Sequence, residues 1–189
     1  DFSNPDEVKQ GCDYIRFLNR STGKVRTGMG AGRQDVNVSC RGGSRVEIKG
    51  VAHSKWIPEL THNEVFRQWA LLQIRDLLKS KIKNIDNWKP SHKILDQELV
   101  NTPETSGKER VIAINLPVFE GVLSYFTQPR QMFADELIHR LKVIACLERP
   151  NMMHSEELEP GLNENSWDRI RELLNSKKGD AQIIIWGAD

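Results

Sequence analysis

The stretch from Gly28 to Val51 reads GMGAGRQDVNVSCRGGSRVEIKGV and contains two runs in which polar and apolar residues alternate. The first run extends from Arg33 to Cys40 and the second from Arg45 to Lys49, with the glycine pair Gly42-Gly43 between them. Alternation with a period of two indicates a strand with one buried face, and a glycine pair between two such runs indicates a tight turn. The stretch therefore predicts an antiparallel hairpin with one apolar and one polar face.

The length of the turn decides which residues of the two strands face each other. A loop of three residues over Gly42–Ser44 keeps the apolar side chains on one face, whereas a loop of two residues would place Val38 opposite Glu47. The predicted pairs are Asn37–Lys49, Val38–Ile48, Ser39–Glu47 and Cys40–Val46. We therefore predict a hairpin with a bulge at its turn.

The polar face of this hairpin is the candidate functional surface. Its side chains are short and mixed in chemistry, and charges of both signs face each other, which suits a hydrogen-bonded site for phosphate, ribose or metal. A face that merely meets water is the alternative, since most antiparallel hairpins have a solvated side.

The hairpin sequence GRQDVNVSCRGGSRVEIKGV resembles the strand pair of the tRNA-dependent amidotransferases that convert Glu-tRNA(Gln) to Gln-tRNA(Gln). The RQDVNVS…GGSRVEIKGV form is closer to the archaeal-type amidotransferases than to the bacterial type, which has a longer turn and usually Asn at the position of Gly50. The resemblance implies that the hairpin belongs to the latter part of a cradle-shaped catalytic domain.

The glycine-rich segment Gly28–Gly32 invites comparison with a phosphate-binding loop. A dinucleotide-binding fingerprint needs a strand before the glycines and a helix after them. Here a predicted strand follows, so we interpret the segment as a flexible turn through which the chain enters the hairpin.

Bulk properties exclude several classes of protein. The 189 residues have a net charge of +1, but residues 1–110 have a charge of +5 and residues 111–189 a charge of −4, so a surface that faces RNA would lie in the first half. Three widely spaced cysteines support neither zinc nor a redox pair and fit a reducing cytoplasm. No run is long enough for a membrane helix. The chain opens with Asp1 and a helix start, so we expect a fragment of a longer protein.

The predicted fold class is α+β, with an antiparallel hairpin and packed helices followed by a small α+β auxiliary domain. We predict residues 1–82 as the C-terminal part of the cradle domain, 83–110 as a linker and 111–189 as the auxiliary domain. A helix over Pro5–Asn19 precedes the hairpin, and a long core helix begins at a capping box, Thr61–Glu64. Within the linker, Thr102–Gly107 predicts a turn or mobile loop.

The second half is similar to the auxiliary domain shared by the archaeal-type amidotransferases and the bacterial-type aspartyl-tRNA synthetases. The motifs are an apolar strand that ends LPVFEG at Gly121, Gln128-Pro129-Arg130 before a helix, and His154-Ser155-Glu156-Glu157. The closing stretch GDAQIII at Gly179–Ile185 completes the resemblance. Within it begins AQIIIW, Ala181–Trp186, which predicts a strand buried on both faces. In that family the helix opening is usually P-G-R and the turn usually contains Asp, so Arg130 and Glu156 are departures. For Arg130, His154 and Glu156, a loop network that fixes the fold is the alternative to a functional cluster.

The family resemblance implies an ATP-dependent transfer in which Mg²⁺ assists phosphorylation of tRNA-bound glutamate and ammonia displaces the phosphate. The family's main metal-binding acids lie before Asp1, so we expect neither a metal site nor a complete ATP and Mg²⁺ site in this fragment, which we expect to be inactive alone. The implied partners are tRNA(Gln) and an asparaginase-like amidase subunit, in the cytoplasm and without a membrane. The predicted catalytic residues are Asp35, Glu47 and Lys49, and the predicted substrate-binding residues are Arg33, Asn37, Ser39 and Arg45.

Two other interpretations stay open at this point. The chain could be a non-catalytic tRNA-binding or interaction module derived from such an enzyme. It could also be a fragment of an aspartyl-tRNA synthetase, which is disfavoured because Gly28–Val51 has no counterpart there.

Overall fold

The structure is a computed structural model that describes residues 1–28, 30–96, 99–100, 110–146, 152–157 and 161–187. The chain divides into two compact units, Asp1–Leu72 with Thr127–Pro129, and Gln73–Phe126 with Arg130–Asp189. Helices and antiparallel sheets occur together, which confirms the predicted α+β class. The domain boundaries at residues 82 and 110 stay a prediction. The turn predicted at Thr102–Gly107 lies outside the described residues.

The first unit begins with helix α1, Pro5–Ser21, as predicted. The side chain of Asn4 caps it by accepting a hydrogen bond of 2.9 Å from the backbone N–H of Glu7, and Pro5 occupies the first turn. Cys12 is buried on the inner face of α1. On the outer face Tyr14, Ile15, Phe17 and Leu18 are exposed.

Strands β1, Gln34–Val38, and β2, Val46–Val51, form the predicted antiparallel hairpin, but in a different register. Val38 faces Val46 and Asn37 faces Glu47, so the pairing is shifted by two residues from the predicted one. Because a shift of two keeps every side chain on its face, the apolar face is still formed as predicted. The four predicted pairs and the extension of the first strand to Cys40 are therefore wrong.

The side chain of Gln68 explains why β1 ends early. Its amide nitrogen donates a hydrogen bond of 3.1 Å to the carbonyl of Val38, and its oxygen accepts one of 3.0 Å from the N–H of Cys40. A side-chain amide thus takes two backbone groups that a longer strand would pair with β2. The chain then turns through Gly42, with φ of +86°, and the Gly43 N–H donates to the Cys40 carbonyl.

The apolar face of the hairpin supplies the core of the first unit. Val36, Val38 and Val51 pack with Cys12 of α1 and with Ile57. Val8, Ile48 and Leu60 lie partly buried around them. The polar face consequently points away from this core.

Helix α2, Ile57–Lys81, follows a short 3-10 helix, Ser54–Trp56. It begins one turn before Thr61, so the prediction that Thr61 caps the start of the helix is wrong. Thr61 lies inside the helix, where its hydroxyl donates a hydrogen bond to the carbonyl of Ile57. The face that packs beneath the hairpin is polar at Thr61, Glu64 and Gln68. We predicted a core helix here, but several of its apolar residues are exposed instead, namely Val65, Phe66, Trp69 and Leu77.

The second unit contains a four-stranded antiparallel sheet made of Ser91–Leu95 (β3), Arg110–Leu116 (β4), Met152–His154 (β7) and Ala181–Gly187 (β8). The strands lie in the order β3-β4-β8-β7. Its helices are Phe133–Ile144 (α3) and Glu164–Leu174 (α4). The chain also forms a 3-10 helix at Ile85–Asn87 and short strands at Phe126–Gln128 (β5) and Gln131–Met132 (β6).

Both faces of this sheet are covered, which explains the apolar run of β8. Ile184 and Trp186 pack with Trp167 and Ile170 of α4, whereas Ile183 packs on the opposite face with residues of α3. The prediction of a last strand buried on both sides is confirmed. No helix in the described part of the chain is both long and apolar enough to cross a membrane.

The range predicted as a linker contains β3, which sequence analysis missed. This strand lies at the sheet edge, and of its five residues only Leu95 is buried. An edge strand with charged and polar side chains has no apolar alternation from which to recognise it.

Candidate active-site hairpin

The polar face of the β1–β2 hairpin is open to solvent along its length. Asp35, Asn37, Glu47 and Lys49 are all exposed, and the register places Asn37 opposite Glu47. The Lys49 ammonium lies 3.3 Å from a carboxylate oxygen of Glu47, with the Lys49 side chain 73% exposed. A pair this exposed stabilises the fold by about 0–1 kcal/mol, so both groups are free to bind a ligand at little cost.

Asp35 also shapes the hairpin. The register shifts between Gln34 and Val36, so that Lys49 and Gly50 lie opposite Asp35 in a β-bulge. One Asp35 oxygen accepts a hydrogen bond of 2.7 Å from the Gly50 N–H. Gly50 has φ of +72°, a conformation that glycine adopts without steric cost. The bulge therefore sits within the polar face, and not at the turn where we predicted it.

The predicted substrate-binding residues Ser39 and Arg45 lie outside the strands, near the turn. Arg33 lies at the opposite end of the hairpin, where its side chain passes Gly50 and lines a cavity of about 250 Å³. Because Val38 faces Val46, Arg45 is level with Ser39, six residues along from Arg33, and at a rise of about 3.3 Å per residue the two arginines are roughly 20 Å apart. The structure thus brings Asp35, Asn37, Glu47 and Lys49 together and leaves the two arginines at separate ends.

Glu64 and Gln68 form a buried polar pair that contacts the hairpin on its apolar side. Sequence analysis did not predict this role for either residue. Glu64 is 7% exposed and Gln68 is 5% exposed, and the Gln68 amide donates a hydrogen bond of 2.9 Å to Glu64. Buried polar residues spaced by four on a helix are the signal that could have revealed them. They are positioning residues, because they act on the backbone of β1 and not on the polar face.

The described residues include no group of three or more His, Cys, Asp or Glu side chains that could hold a metal ion. On the polar face, the Gly50 N–H already occupies one oxygen of Asp35, and Glu47 supplies the second carboxylate. Mg²⁺ binds through several oxygen ligands in near-octahedral geometry, and these two carboxylates alone do not supply them. The carboxylates of the polar face therefore do not fit a Mg²⁺ site by themselves.

In the second unit, the cluster around Glu156 fixes loops. The Glu156 carboxylate accepts hydrogen bonds from the Gly121 N–H at 2.7 Å and the Ser124 N–H at 3.0 Å. His154 accepts a hydrogen bond at Nδ1 from the Glu156 N–H, and burial lowers the pKa of His154. Arg130 is exposed and has φ of +63°. These contacts favour the alternative in which the cluster is a network that fixes loops of the fold and has no role in function.

A second buried network in this unit involves Asp180. Burial acts to raise the pKa of Asp180, but hydrogen bonds from Asn115 and from the N–H groups of Lys177 and Val118 outweigh it, so the pKa is lowered. Gln182 joins the network through Asn115. The network connects β4 to the turn before β8.

Known proteins resemble the whole chain. The family model described as GatB/GatE catalytic domain matches residues 1–131. A glutamyl-tRNA(Gln) amidotransferase subunit from Sulfurisphaera tokodaii is 33% identical over 196 residues, which is 99% of this chain and 31% of the relative. The corresponding subunits of Methanocaldococcus jannaschii and Pyrococcus furiosus are each 32% identical, over 98% of this chain and 30% of their own length. The chain thus spans less than a third of these relatives.

Proposed function

The chain belongs to the family of GatB/GatE catalytic domains, and from this membership we propose that it is part of an enzyme subunit that converts glutamyl-tRNA(Gln) to glutaminyl-tRNA(Gln). The observation that supports the proposal is the exposed polar face of the hairpin, which lies within the matched residues and presents carboxylate, amide and ammonium groups side by side. Mixed hydrogen-bonding groups of this kind suit a substrate with both a carboxylate and a phosphate.

The proposed reaction has two transfers. In the first, a γ-carboxylate oxygen of tRNA-bound glutamate attacks the γ-phosphorus of ATP, the bond to the β-phosphate oxygen breaks, and ADP leaves. In the second, ammonia attacks the γ-carbonyl carbon, the carbon–oxygen bond to phosphate breaks, and inorganic phosphate leaves as the nitrogen loses a proton. Both steps develop negative charge that fixed cationic and N–H donors stabilise.

Each residue of the polar face has a proposed role in these steps. The Lys49 ammonium stabilises charge on the transferred phosphoryl group. Glu47 accepts the proton that the attacking nitrogen loses. Asn37, opposite Glu47, and Ser39 offer hydrogen bonds to the glutamyl group, and Arg33 and Arg45 contact phosphates of the nucleotide or acceptor stem. Asp35 shapes the bulge that places Lys49 and lends its charge to the same face.

The whole enzyme needs parts that the described residues do not supply. We propose that Mg²⁺ and most of the ATP site come from other segments of the complete subunit, so that this chain alone is inactive. An asparaginase-like amidase subunit is the proposed source of ammonia. The sparse, unpaired cysteines favour a cytoplasmic enzyme.

The test uses the complete subunit containing this chain, with ammonium chloride in place of the amidase. Asp35→Asn and Glu47→Gln remove charge while keeping an oxygen acceptor, and Glu59→Gln removes an exposed charge elsewhere as the control. We expect both site variants to slow glutaminyl-tRNA formation by at least about 100-fold, with Glu59→Gln within about twofold of wild type. Wild-type rates in both site variants, at unchanged stability, would refute the assigned roles.

The alternative of a non-catalytic RNA-binding module predicts a different result in the same assay. Such a module would form no ADP that depends on glutamyl-tRNA. If the complete subunit releases ADP only when glutamyl-tRNA is present, and Lys49→Met abolishes that release, the chain belongs to an enzyme and not to a non-catalytic module.

A further inference from the structure

A cavity of about 250 Å³ in the first unit has an unusual concentration of positive charge. It lies between the C-terminal half of α1, the glycine-rich segment and the start of β1. Arg16, Arg20, Arg26 and Arg33 line it, together with His53. No Asp or Glu is among the described residues that line it. We call this group of four arginines the arginine pocket.

Three of these guanidinium groups have no acidic partner. Arg20, Arg26 and Arg33 are exposed, and no carboxylate pairs with them in the described part of the chain. Arg16 donates a hydrogen bond of 3.4 Å to Ser54 Oγ, and its charge interacts with the carboxylate of Asp13 beside the pocket. Like charges around one cavity repel each other, and a bound anion would remove that repulsion.

The backbone opposite α1 is open to a ligand. Gly28 has φ of +126° and Gly30 has φ of +73°, so the segment turns sharply. A Cβ atom built on Gly28, Gly30 or Gly32 would meet no atom within 4 Å. These glycines are therefore not needed for close packing, and the space beside them is free for a ligand. The Ala31 N–H is already taken, since it donates a hydrogen bond of 3.3 Å to the Gly28 carbonyl, so the binding groups of the pocket are its guanidinium groups.

We propose that the arginine pocket binds phosphate groups, either of an RNA backbone or of a nucleotide polyphosphate. Guanidinium forks bind phosphate oxygens in a bidentate manner, and four of them match several phosphate charges. A cavity of about 250 Å³ has room for phosphate groups. The proposal rests on the proposed function, to which Arg33 and both sources of phosphate belong, and it extends the phosphate contact to Arg16, Arg20 and Arg26, which lie off the polar face.

The test is direct binding to the 189-residue chain. The pocket variant is Arg20→Gln with Arg26→Gln, and the control is Arg41→Gln with Arg140→Gln, which removes the same charge at exposed sites elsewhere. Sodium tripolyphosphate is titrated by calorimetry, and an unmodified tRNA transcript by fluorescence anisotropy between about 50 and 200 mM salt, the range over which phosphate contacts are usually resolved. Thermal melting checks that each variant is folded.

We expect the pocket variant to lose at least about tenfold in affinity, and its slope of log affinity against log salt for tRNA to fall by about 2, one for each arginine removed. Arg20→Lys with Arg26→Lys keeps the charge, so it should keep the slope while losing affinity. A loss confined to tripolyphosphate assigns a nucleotide, and a loss with tRNA alone assigns the RNA backbone. Equal losses in pocket and control variants, or no loss with either ligand, would overturn the proposal. Because no turnover is measured, this failure would leave the transamidation proposal untouched.

Discussion

The Gln68 amide fixes the end of β1, and its removal gives the sharpest structural test of the hairpin. Gln68→Ala deletes the hydrogen bonds to the Val38 carbonyl and the Cys40 N–H and leaves both backbone groups to be satisfied otherwise. Each lost bond costs about 1 kcal/mol, and an unsatisfied buried group adds about 1–3 kcal/mol. We expect the free energy of unfolding to fall by about 2–4 kcal/mol.

Gly43 offers an independent check on the same contact. A Cβ at Gly43 would lie 2.6 Å from the Gln68 Oε1 atom, closer than two such atoms approach in real proteins. Gly43→Ala should therefore displace the Gln68 amide, and it should lower the free energy of unfolding by much of the amount that Gln68→Ala does. In the Gln68→Ala background that clash is absent, so a double-mutant cycle should show a coupling of about 1–2 kcal/mol.

The assay is urea unfolding of the 189-residue chain, together with residue-resolved hydrogen exchange of the β1 and β2 amides. Gln73→Ala, at an exposed position of α2, is the matched control and should cost at most about 0.5 kcal/mol. If Gln68→Ala proved no more costly than the control, or if Gly43→Ala cost the same in both backgrounds, the amide would not set the end of the strand.

Three further substitutions test other features of the fold. Gly50→Ala forces a side chain into a left-handed conformation and should cost about 1–2 kcal/mol in urea unfolding, whereas Gly32→Ala, in open space without a positive φ, should cost far less. Arg130→Gly relieves a positive φ and should stabilise the chain or leave it unchanged; a loss above about 1 kcal/mol would show that Arg130 makes contacts that matter. Burial lowers the pKa of His154, so stability should fall as the pH drops below about 6.5, because the unfolded chain then binds a proton that native His154 does not. His154→Gln should flatten that decline; a decline as steep as that of the unsubstituted chain would contradict this.

The hairpin shows which structural features a local sequence pattern can predict. Alternation predicted both strands, their apolar face and the residues of the polar face, because burial enforces a period of two. It could not choose between registers two residues apart, since both satisfy that period. The choice depends on Gln68, which lies 28 residues after Cys40 in the sequence.

The functional surface likewise has features that the sequence predicts and features that it does not. The side chains of the polar face were predictable, because they alternate with the buried valines. The bulge at Gly50 was not, since it follows from a positive φ that many glycines do not adopt. The arginine pocket was not predictable either, because it combines one face of α1 with the opposite end of the hairpin, and no local spacing joins them.

Helix α2 misled sequence analysis for a related reason. Thr61 and Glu64 have the spacing of a capping box, yet both are buried inside a helix that begins at Ile57. Pro58, in the first turn, was the better signal for the start of the helix.

The central proposal is that the glutamyl end of tRNA lies on the polar face of the hairpin. The most direct measurement places a photoreactive benzophenone amino acid at Asn37 in the complete subunit, with the same group at Glu59 as control, and irradiates each with glutamyl-tRNA(Gln). The proposal predicts that Asn37 cross-links to the 3′-terminal nucleotide and that Glu59 does not. Cross-linking at Asn37 no stronger than at Glu59, in an enzyme that still forms glutaminyl-tRNA, would contradict it.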